Sequence, residues 1–149
     1  MGTHIYKSHN KTLLLYHLVL PVKYRRKVFT SEVVKTLEEV CKGISERYEI
    51  DFVEIGADAN HIHFLIQGVP IQSVEVQVRI IKSITAKEIF KRHPEVKKEL
   101  WGGKFWTSGY YANTVGQYGN EEVIKKYVQK QGRDYEKLYG KQLNLFEDI

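Results

Sequence analysis

Apolar residues recur along the first part of the chain with two different periods. Over residues 11–22 apolar and polar positions alternate, which predicts a first strand that ends at Pro21. After it the apolar positions follow a helical spacing, with Thr30 or Ser31 as the N-cap and Glu32 in the first turn. This spacing predicts a helix that covers the core with Val33, Leu37, Val40, Ile44 and Tyr48.

The middle of the chain predicts a β-hairpin followed by a second helix. Residues 50–57 and 61–68 have the composition of strands and are joined by a segment of turn composition. The helix is predicted from about Ser73 to Arg92, and its outer side is basic. Pro94 ends it, because the residue before a proline disfavours helical backbone. Its apolar side comprises Val74, Val78, Ile81, Ile84, Thr85 and Ile89.

Aromatic residues and glycines are mixed in residues 101–111, which leaves two interpretations open. In one, a strand pair with a glycine turn lets the rings cap the core; in the other, the rings form a platform that stacks nucleic-acid bases. A short helix over residues 95–100 precedes this segment, and a strand over 110–115 follows. A last helix is predicted from Asn120 to the residue before Gly140.

The order strand, helix, strand, strand, helix, strand is that of a ferredoxin-like sandwich. We therefore predict an α+β fold in which helices cover one face of an antiparallel sheet and a C-terminal helix carries Tyr127. The 149 residues contain no internal repeat or linker. Residues 1–149 are accordingly predicted to form one domain, with 141–149 as a flexible tail.

The composition mainly excludes certain kinds of site and segment. The single cysteine, Cys41, cannot form an internal disulfide framework or a cysteine zinc site, which favours a reducing cytosol. No apolar stretch is long enough for a signal or membrane helix. The net charge of +5 and the pI near 9.2 suit a polyanionic partner such as DNA. The candidate phosphate contacts are Arg25, Arg26, Arg79, Lys82 and Lys87.

The candidate chemistry begins with His61 and His63, which flank one isoleucine at the start of the third strand. On a strand these two side chains share a face about 6.6 Å apart and could bind one metal ion. Tyr127 and Gln131 lie one turn apart on the last helix. A phenol with a pKa near 10 attacks a phosphate usefully only beside a cation, and a glutamine carbonyl could bind that cation. Each pair is also compatible with an ordinary structural role.

These features together resemble the single-tyrosine HUH transposases of small bacterial and archaeal insertion sequences, the TnpA family with its REP-type and IS200-like members. The resemblance covers nearly the whole chain and is strongest at residues 16–19, 23–26, 61–66, 81–90, 100–103, 109–111 and 127–131. Other proteins with a His-x-His strand fit less well. A cupin needs a glutamate a few residues on, where this chain has Leu-Ile-Gln-Gly at 65–68, and an amidohydrolase barrel needs a longer chain.

The resemblance implies a metal-dependent DNA strand transferase. Its nucleophile would be Tyr127, and its Mg²⁺ or Mn²⁺ ligands would be His61, His63 and Gln131. It implies recognition of single-stranded DNA hairpins and a 5′-phosphotyrosine intermediate that frees a 3′-hydroxyl without ATP. It also implies a homodimer in which the tyrosine helix of one subunit completes the histidine pair of the other. Such a protein acts in the prokaryotic cytoplasm and is nucleoid-associated when bound to DNA.

Two other functions remain open at this point. A regulator derived from such a transposase would bind DNA or RNA hairpins without cutting them, although the intact tyrosine, histidine pair and glutamine argue against it. A metal hydrolase that activates bound water would not need Tyr127. Tyr135, further along the helix, is the fallback nucleophile but lacks a glutamine four residues on. Asp58 and Asn60, near the predicted hairpin turn, are candidates for supporting the metal ligands.

The tail carries a second resemblance. Residues 142–146, Gln-Leu-Asn-Leu-Phe, resemble the short peptide with which bacterial replication and repair proteins bind the sliding clamp. In a flexible tail, Leu143, Leu145 and Phe146 would enter an apolar pocket of the clamp. Gln142 would form hydrogen bonds at the rim of that pocket. The alternative is that the same residues dock on this protein's own sheet or on its dimer partner.

Overall fold

A four-stranded antiparallel sheet forms the centre of the computed structural model, which describes residues 3–116. Two short strands, β1 (Ile5–Tyr6) and β2 (Lys11–Thr12), pair with each other as a separate ribbon. The sheet consists of β3 (Leu14–Pro21), β4 (Asp51–Asp58), β5 (His61–Gly68) and β6 (Tyr111–Val115), in the order β4-β5-β3-β6. The predicted last helix with Tyr127 and Gln131, and the tail, lie outside the described residues.

The helices within this range are α1 (Ser31–Tyr48), α2 (Val74–Arg92) and α3 (Pro94–Glu99). The N-cap expected at Thr30 or Ser31 is confirmed at Thr30, and Ser73, predicted only as the approximate start of the second helix, caps α2. Thr30 Oγ1 accepts a hydrogen bond from the backbone N–H of Val33 at 3.3 Å. Ser73 Oγ accepts one from the N–H of Val76 at 3.2 Å. Pro94 follows the end of α2 and opens α3, where its missing N–H leaves no helical hydrogen bond unmade.

The connection order confirms the predicted ferredoxin-like fold. Apart from the ribbon, the chain runs β3, α1, β4, β5, α2 and β6, with β3 and β5 at the centre of the sheet. The strand predicted over residues 11–22 needs one correction, because residues 11–12 pair with β1 and only Leu14–Pro21 enters the main sheet. Alternation along a strand does not specify its partner, so the sequence pattern could not separate these two pieces. None of the described helices is long and apolar enough to cross a membrane.

The two faces of the sheet carry different side chains, because successive residues of a strand point to opposite sides. The three described helices pack on one face, as predicted. There the central strands supply Leu18, Leu20, Ile62, Phe64 and Ile66. The opposite face carries His17, Leu65 and Gln67 together with His61 and His63. Every residue of β5 is buried, so both histidines are held by a rigid interior strand.

The segment rich in glycine and aromatic residues packs against α2. Phe105 and Trp106 are buried in the core, and the Trp106 indole N–H donates to Thr85 Oγ1 at 3.0 Å. In the described part of the chain, an isolated bridge between Trp106 and Val22 stands in place of the predicted strand pair. Core capping is thus confirmed for two of the rings, whereas Trp101 remains exposed.

Candidate metal centre

The β4–β5 hairpin places a carboxylate beside the two histidines. A two-residue turn joins the strands, and the register sets Asp58 directly opposite His61. Directly paired residues of an antiparallel sheet point to the same face, as do residues two apart on one strand. Asp58, His61 and His63 therefore share the face opposite to the helices. One ligand atom from each of the three lies within 4.8 Å of the others.

Hydrogen bonds orient both imidazole rings. The His61 Nδ1–H donates to Asn60 Oδ1 at 2.9 Å, so Nε2 of the same ring is directed at Asp58 Oδ2, 3.0 Å away. The His63 Nε2–H donates to the same carboxylate oxygen at 2.7 Å. A hydrogen bond from one ring nitrogen sets the tautomer, so in His61 the nitrogen that faces Asp58 is the unprotonated one. One oxygen of Asp58 thus faces an imidazole nitrogen from each histidine.

Burial decides the charge of His61. The residue is only 4% exposed, and this burial, followed by the positive charge of His63, lowers the pKa of His61 to about 4. The carboxylate of Asp58 acts in the opposite direction but does not reverse the shift, and Arg25 reinforces it. At pH 7 His61 is therefore neutral, and its Nε2 lone pair faces a carboxylate oxygen. Two electron-pair donors at this distance repel each other unless positive charge lies between them.

The donor set fits a divalent cation. Two imidazole nitrogens and a carboxylate oxygen are ligands that Mn²⁺ and related ions accept, and neutral imidazole is the form that binds metal. From the sequence we expected Asp58 only to support the ligands, whereas the register brings its oxygen to the ligand atoms themselves. The sequence contains a signal for this contact, because a two-residue turn makes residues 58 and 61 a direct cross-strand pair.

His17 extends the site onto β3, although the sequence pattern predicted no role for it. Its ring stacks on that of His63, with centroids 6.0 Å apart and an interplanar angle of 11°, and Tyr111 meets it edge-on at 6.3 Å. Burial, followed by the charge of His63, lowers the pKa of His17 to about 4, although a hydrogen bond with Asn113 opposes the shift. His17 therefore contributes a neutral ring to the wall of the site at pH 7.

Two of the predicted phosphate contacts lie near this centre. Arg25 and Arg26 belong to the turn that follows β3. This turn is fastened to the β4–β5 hairpin, because the Val22 N–H donates to the Asn60 carbonyl at 2.9 Å. Arg26 is exposed, and the positive charge of Arg25 helps to lower the pKa of His61. A phosphate next to the metal centre would therefore meet a basic surface.

Lys82 differs from the two other predicted contacts on α2. Arg79 and Lys87 are exposed, and Arg79 forms an ion pair within the helix at 3.8 Å. The Lys82 ammonium instead donates to two backbone carbonyl oxygens of the 107–109 segment, at 2.8 and 2.9 Å. Burial lowers the pKa of Lys82 to about 8. Lys82 thus fastens this segment to α2, with two of its three N–H donors engaged.

The fold and the site define an α+β protein with a candidate divalent-metal centre on one strand of a ferredoxin-like sheet. The family model described as "Transposase IS200 like" (Y1_Tnp) matches residues 10–131. Because this match spans most of the 149 residues, the chain belongs to the IS200-like transposase family. The family expected from the sequence is confirmed.

Known transposases are similar to this chain in sequence or in structure. The chain is 30% identical over 118 residues to the ISDra2 transposase TnpA of Deinococcus radiodurans. This alignment spans 79% of this chain and 84% of that transposase. A crystal structure from D. radiodurans R1 aligns with a TM-score of 0.68 at 25% identity, over 85% of this chain and 98% of that one. A REP-associated tyrosine transposase bound to a REP hairpin aligns with a TM-score of 0.52 over 83% and 67% of the two chains. At 10% identity, this last likeness concerns the fold alone.

Proposed function

We propose that this transposase cuts and rejoins single-stranded DNA in a metal-dependent reaction with Tyr127 as the nucleophile. The observation that carries the proposal is the convergence of Asp58, His61 and His63, whose ligand atoms fit a divalent cation. Gln131 is the proposed additional ligand. Mg²⁺ and Mn²⁺ are the proposed ions, and the imidazole nitrogens favour Mn²⁺.

The cation would polarise the scissile phosphate and stabilise the charge that develops during attack. The Tyr127 oxygen forms a bond to phosphorus, and the bond from phosphorus to the 3′ oxygen breaks. The phenol proton passes to solvent, and the freed 3′ oxygen takes up a proton. The products are a 5′-phosphotyrosine and a 3′-hydroxyl, so the bond energy is conserved and no ATP is consumed. Attack of a 3′-hydroxyl on the phosphotyrosine reverses these steps and joins two strands.

At pH 7 only about one tyrosine in a thousand is ionised at an ordinary pKa near 10, so attack by the Tyr127 phenol would require a cation at the scissile phosphate. Two properties of β5 prepare the site for that cation. Because burial lowers the pKa of His61 to about 4, that ligand binds a metal at neutral pH without first releasing a proton. The strand that carries both imidazoles is rigid and buried, which holds the ligands in position before substrate arrives.

The proposed substrate is a DNA hairpin at the end of an insertion sequence. The net charge of +5 and the basic turn next to the metal centre support a polyanionic substrate. The solved relative bound to a REP hairpin has the same fold, which supports a hairpin in particular. We further propose a homodimer in which the tyrosine helix of one subunit completes the histidine site of the other. It would act on the nucleoid in the prokaryotic cytoplasm.

The nucleophile is tested by replacing Tyr127 with Phe. A labelled single-stranded hairpin oligonucleotide is incubated with protein and Mn²⁺, and covalent adducts are resolved by denaturing electrophoresis. Tyr127→Phe should form no adduct while binding the hairpin nearly as well as the wild type, because only the attacking oxygen is lost. Tyr135→Phe is the matched control and should cut normally. A cleavage-competent Tyr127→Phe protein would refute the assignment.

The same experiment separates the other two functions. A hairpin-binding regulator would bind the oligonucleotide and give neither adduct nor cut ends. A hydrolase using metal-bound water would give free ends without an adduct, and it would not depend on Tyr127. His61→Ala and His63→Ala should each abolish Mn²⁺-dependent cleavage. Gln131→Ala should have a milder effect, because a neutral amide oxygen is the weakest of the proposed ligands.

A further inference from the structure

Two exposed aromatic rings stack on each other near the metal centre. Tyr24 is 49% exposed and Trp101 69%, yet their ring centroids lie 5.6 Å apart with an interplanar angle of 17°. The neighbouring aromatic residues Phe105 and Trp106 are buried in the core. The Tyr24–Trp101 pair therefore presents flat apolar surface to solvent that the core does not use.

The backbone on both sides of the pair has an unusual conformation. Tyr24 has a φ of 58° and a ψ of 13°, in the left-handed region that bulky residues rarely adopt, and Arg25 follows with a φ of 57°. Trp101 is followed by Gly102 and Gly103, whose φ values are 100° and 79°. Glycine adopts such conformations readily, whereas in Tyr24 and Arg25 they persist only where the surrounding structure imposes them, and such residues cluster at functional sites.

Backbone hydrogen bonds lock these two turns together. The Lys23 N–H donates to the Phe105 carbonyl at 2.8 Å, and the Thr107 N–H donates to the Pro21 carbonyl at 3.1 Å. Val22 forms the bridge with Trp106 between these two bonds. The rings are thus mounted on a fixed double turn, so binding a ligand there would order little additional chain.

The charge around the pair suits a polyanion. Residues 22–29 and 101–108 contain no acidic residue and carry the basic residues Lys23, Arg25, Arg26, Lys27 and Lys104. The Lys23 ammonium lies 5.4 Å from the centre of the Tyr24 ring. Nucleic acid combines flat apolar bases with phosphates, which is the chemistry that interleaved aromatic and basic side chains recognise.

The position of the pair relates it to the metal centre. Pro21 lies directly opposite His61 in the sheet, and Tyr24 is three residues further along the chain. Three residues span at most about 11 Å and directly paired Cα atoms lie about 5 Å apart, so the Cα atom of Tyr24 lies within about 16 Å of that of His61. A single strand that enters or leaves the metal centre on this side would pass over the rings.

We propose that Tyr24 and Trp101 form a stacking platform for an unpaired base of the single-stranded DNA that occupies the metal centre. The inference rests on the proposed function, because it assigns a binding role to residues beside the same site. The base would stack on an exposed ring face while Lys23 and Lys104 contact the flanking phosphates. The platform would act on binding and positioning and would take no part in the chemical step.

The test compares two polymers in metal-free buffer with a chelator, so that the metal centre does not contribute. One is a short thymidine homopolymer and the other is a base-free chain of the same length with the same phosphates, both measured by fluorescence anisotropy. Trp101→Ala should weaken binding of the thymidine polymer by roughly 5- to 150-fold. Binding of the base-free polymer should stay unchanged. Trp101→Phe should restore much of the loss, because a phenyl ring still stacks.

Tyr6 provides a matched control. It is 71% exposed, and the Lys11 ammonium lies 5.4 Å from its ring centre, as Lys23 does for Tyr24. Its ribbon is fastened near the far end of β5, where Gln67 Nε2–H donates to the Thr3 carbonyl, about 20 Å along the strand from His61. Tyr6→Ala should bind both polymers like the wild type, which separates the platform from any exposed ring beside a lysine.

Each remaining outcome has a definite meaning. Equal losses on both polymers would show that the rings act on phosphates or on the fold, which overturns the inference. Unchanged binding by both Trp101→Ala and Tyr24→Leu, with cleavage intact, would overturn the platform and leave the proposed function standing. A wild-type protein that binds neither polymer nor the hairpin would overturn both. If Trp101→Ala fails to fold, Tyr24→Leu takes its place in the test and should weaken binding of the thymidine polymer but not of the base-free polymer.

Discussion

Binding of Mn²⁺ should stabilise the folded protein through the metal centre, and single substitutions there should remove this effect. An ion that binds only the folded state at 100 times its dissociation constant contributes about 2.7 kcal/mol. With an unfolding entropy of about 2.1 cal/mol/K per residue, a chain of 149 residues has a total near 0.3 kcal/mol/K. The unfolding temperature should therefore rise by about 9 °C.

The loss in a ligand variant follows from the same relation. Removing the imidazole of His61 or His63 leaves one nitrogen and one carboxylate oxygen among the three described donors. If the affinity falls about 100-fold, the same Mn²⁺ concentration equals the new dissociation constant, and the stabilisation drops to about 0.4 kcal/mol. The expected shift is then about 1 °C. Asp58→Asn should also reduce the shift, because loss of a carboxylate that orients metal-ligating imidazoles lowers metal affinity about 10- to 100-fold.

Differential scanning fluorimetry with and without Mn²⁺ measures this shift for each variant against its own metal-free baseline. Any direct effect of a substitution on the fold therefore cancels. His93→Ala is the control, since its ring also contacts a carboxylate, Glu95 at 3.2 Å, but it precedes α3 and its Nε2 forms a 2.7 Å hydrogen bond with Thr36 Oγ1 of α1. It should keep the full shift. Equal shifts in His61→Ala, His63→Ala and the wild type would show that the ion binds elsewhere and refute the reasoning.

Three further predictions concern other parts of the chain. Relative to Lys82→Met, the wild type should gain stability as pH rises from about 8 to 10.5 in chemical denaturation, because the unfolded chain holds one more proton there. Replacing Arg79, Lys82 and Lys87 together should flatten the dependence of log DNA affinity on log salt; an unchanged slope would place the DNA on another face. The tail should bind purified bacterial sliding clamp at micromolar concentration, and replacing Leu145 and Phe146 with Ala should abolish binding without affecting cleavage. Loss of dimerisation in that variant would favour docking of the tail on the protein itself.

Short-range chemistry accounts for the elements that the sequence predicted well. The predicted N-cap at Thr30 depends on a hydrogen bond to a residue three positions on, so its signal lies within one turn. The bounds of β5 follow from the turn before it and the glycine at its end. The shared face of His61 and His63 follows from alternation alone. For these features the physical cause and the sequence signal lie within a few residues of each other.

Several features of the site required contacts between distant segments. His17 meets His63 only because β3 pairs with β5, about 46 residues away along the chain. Lys82 was expected to contact phosphate, but the packing of the 107–109 segment engages its ammonium with two carbonyl groups. The Tyr24–Trp101 stack joins turns that no local pattern relates.

The sequence by itself determined the order of the elements, the face that carries the histidine pair and the family of the protein. Only the tertiary structure decided which charged and aromatic groups surround that pair. Asp58 illustrates the difference, since its position near a turn was readable, but its 2.7 Å contact with His63 depends on the strand register. Periodicity reports the direction in which a side chain points, whereas burial, pKa and ligand geometry depend on what the folded chain brings to meet it.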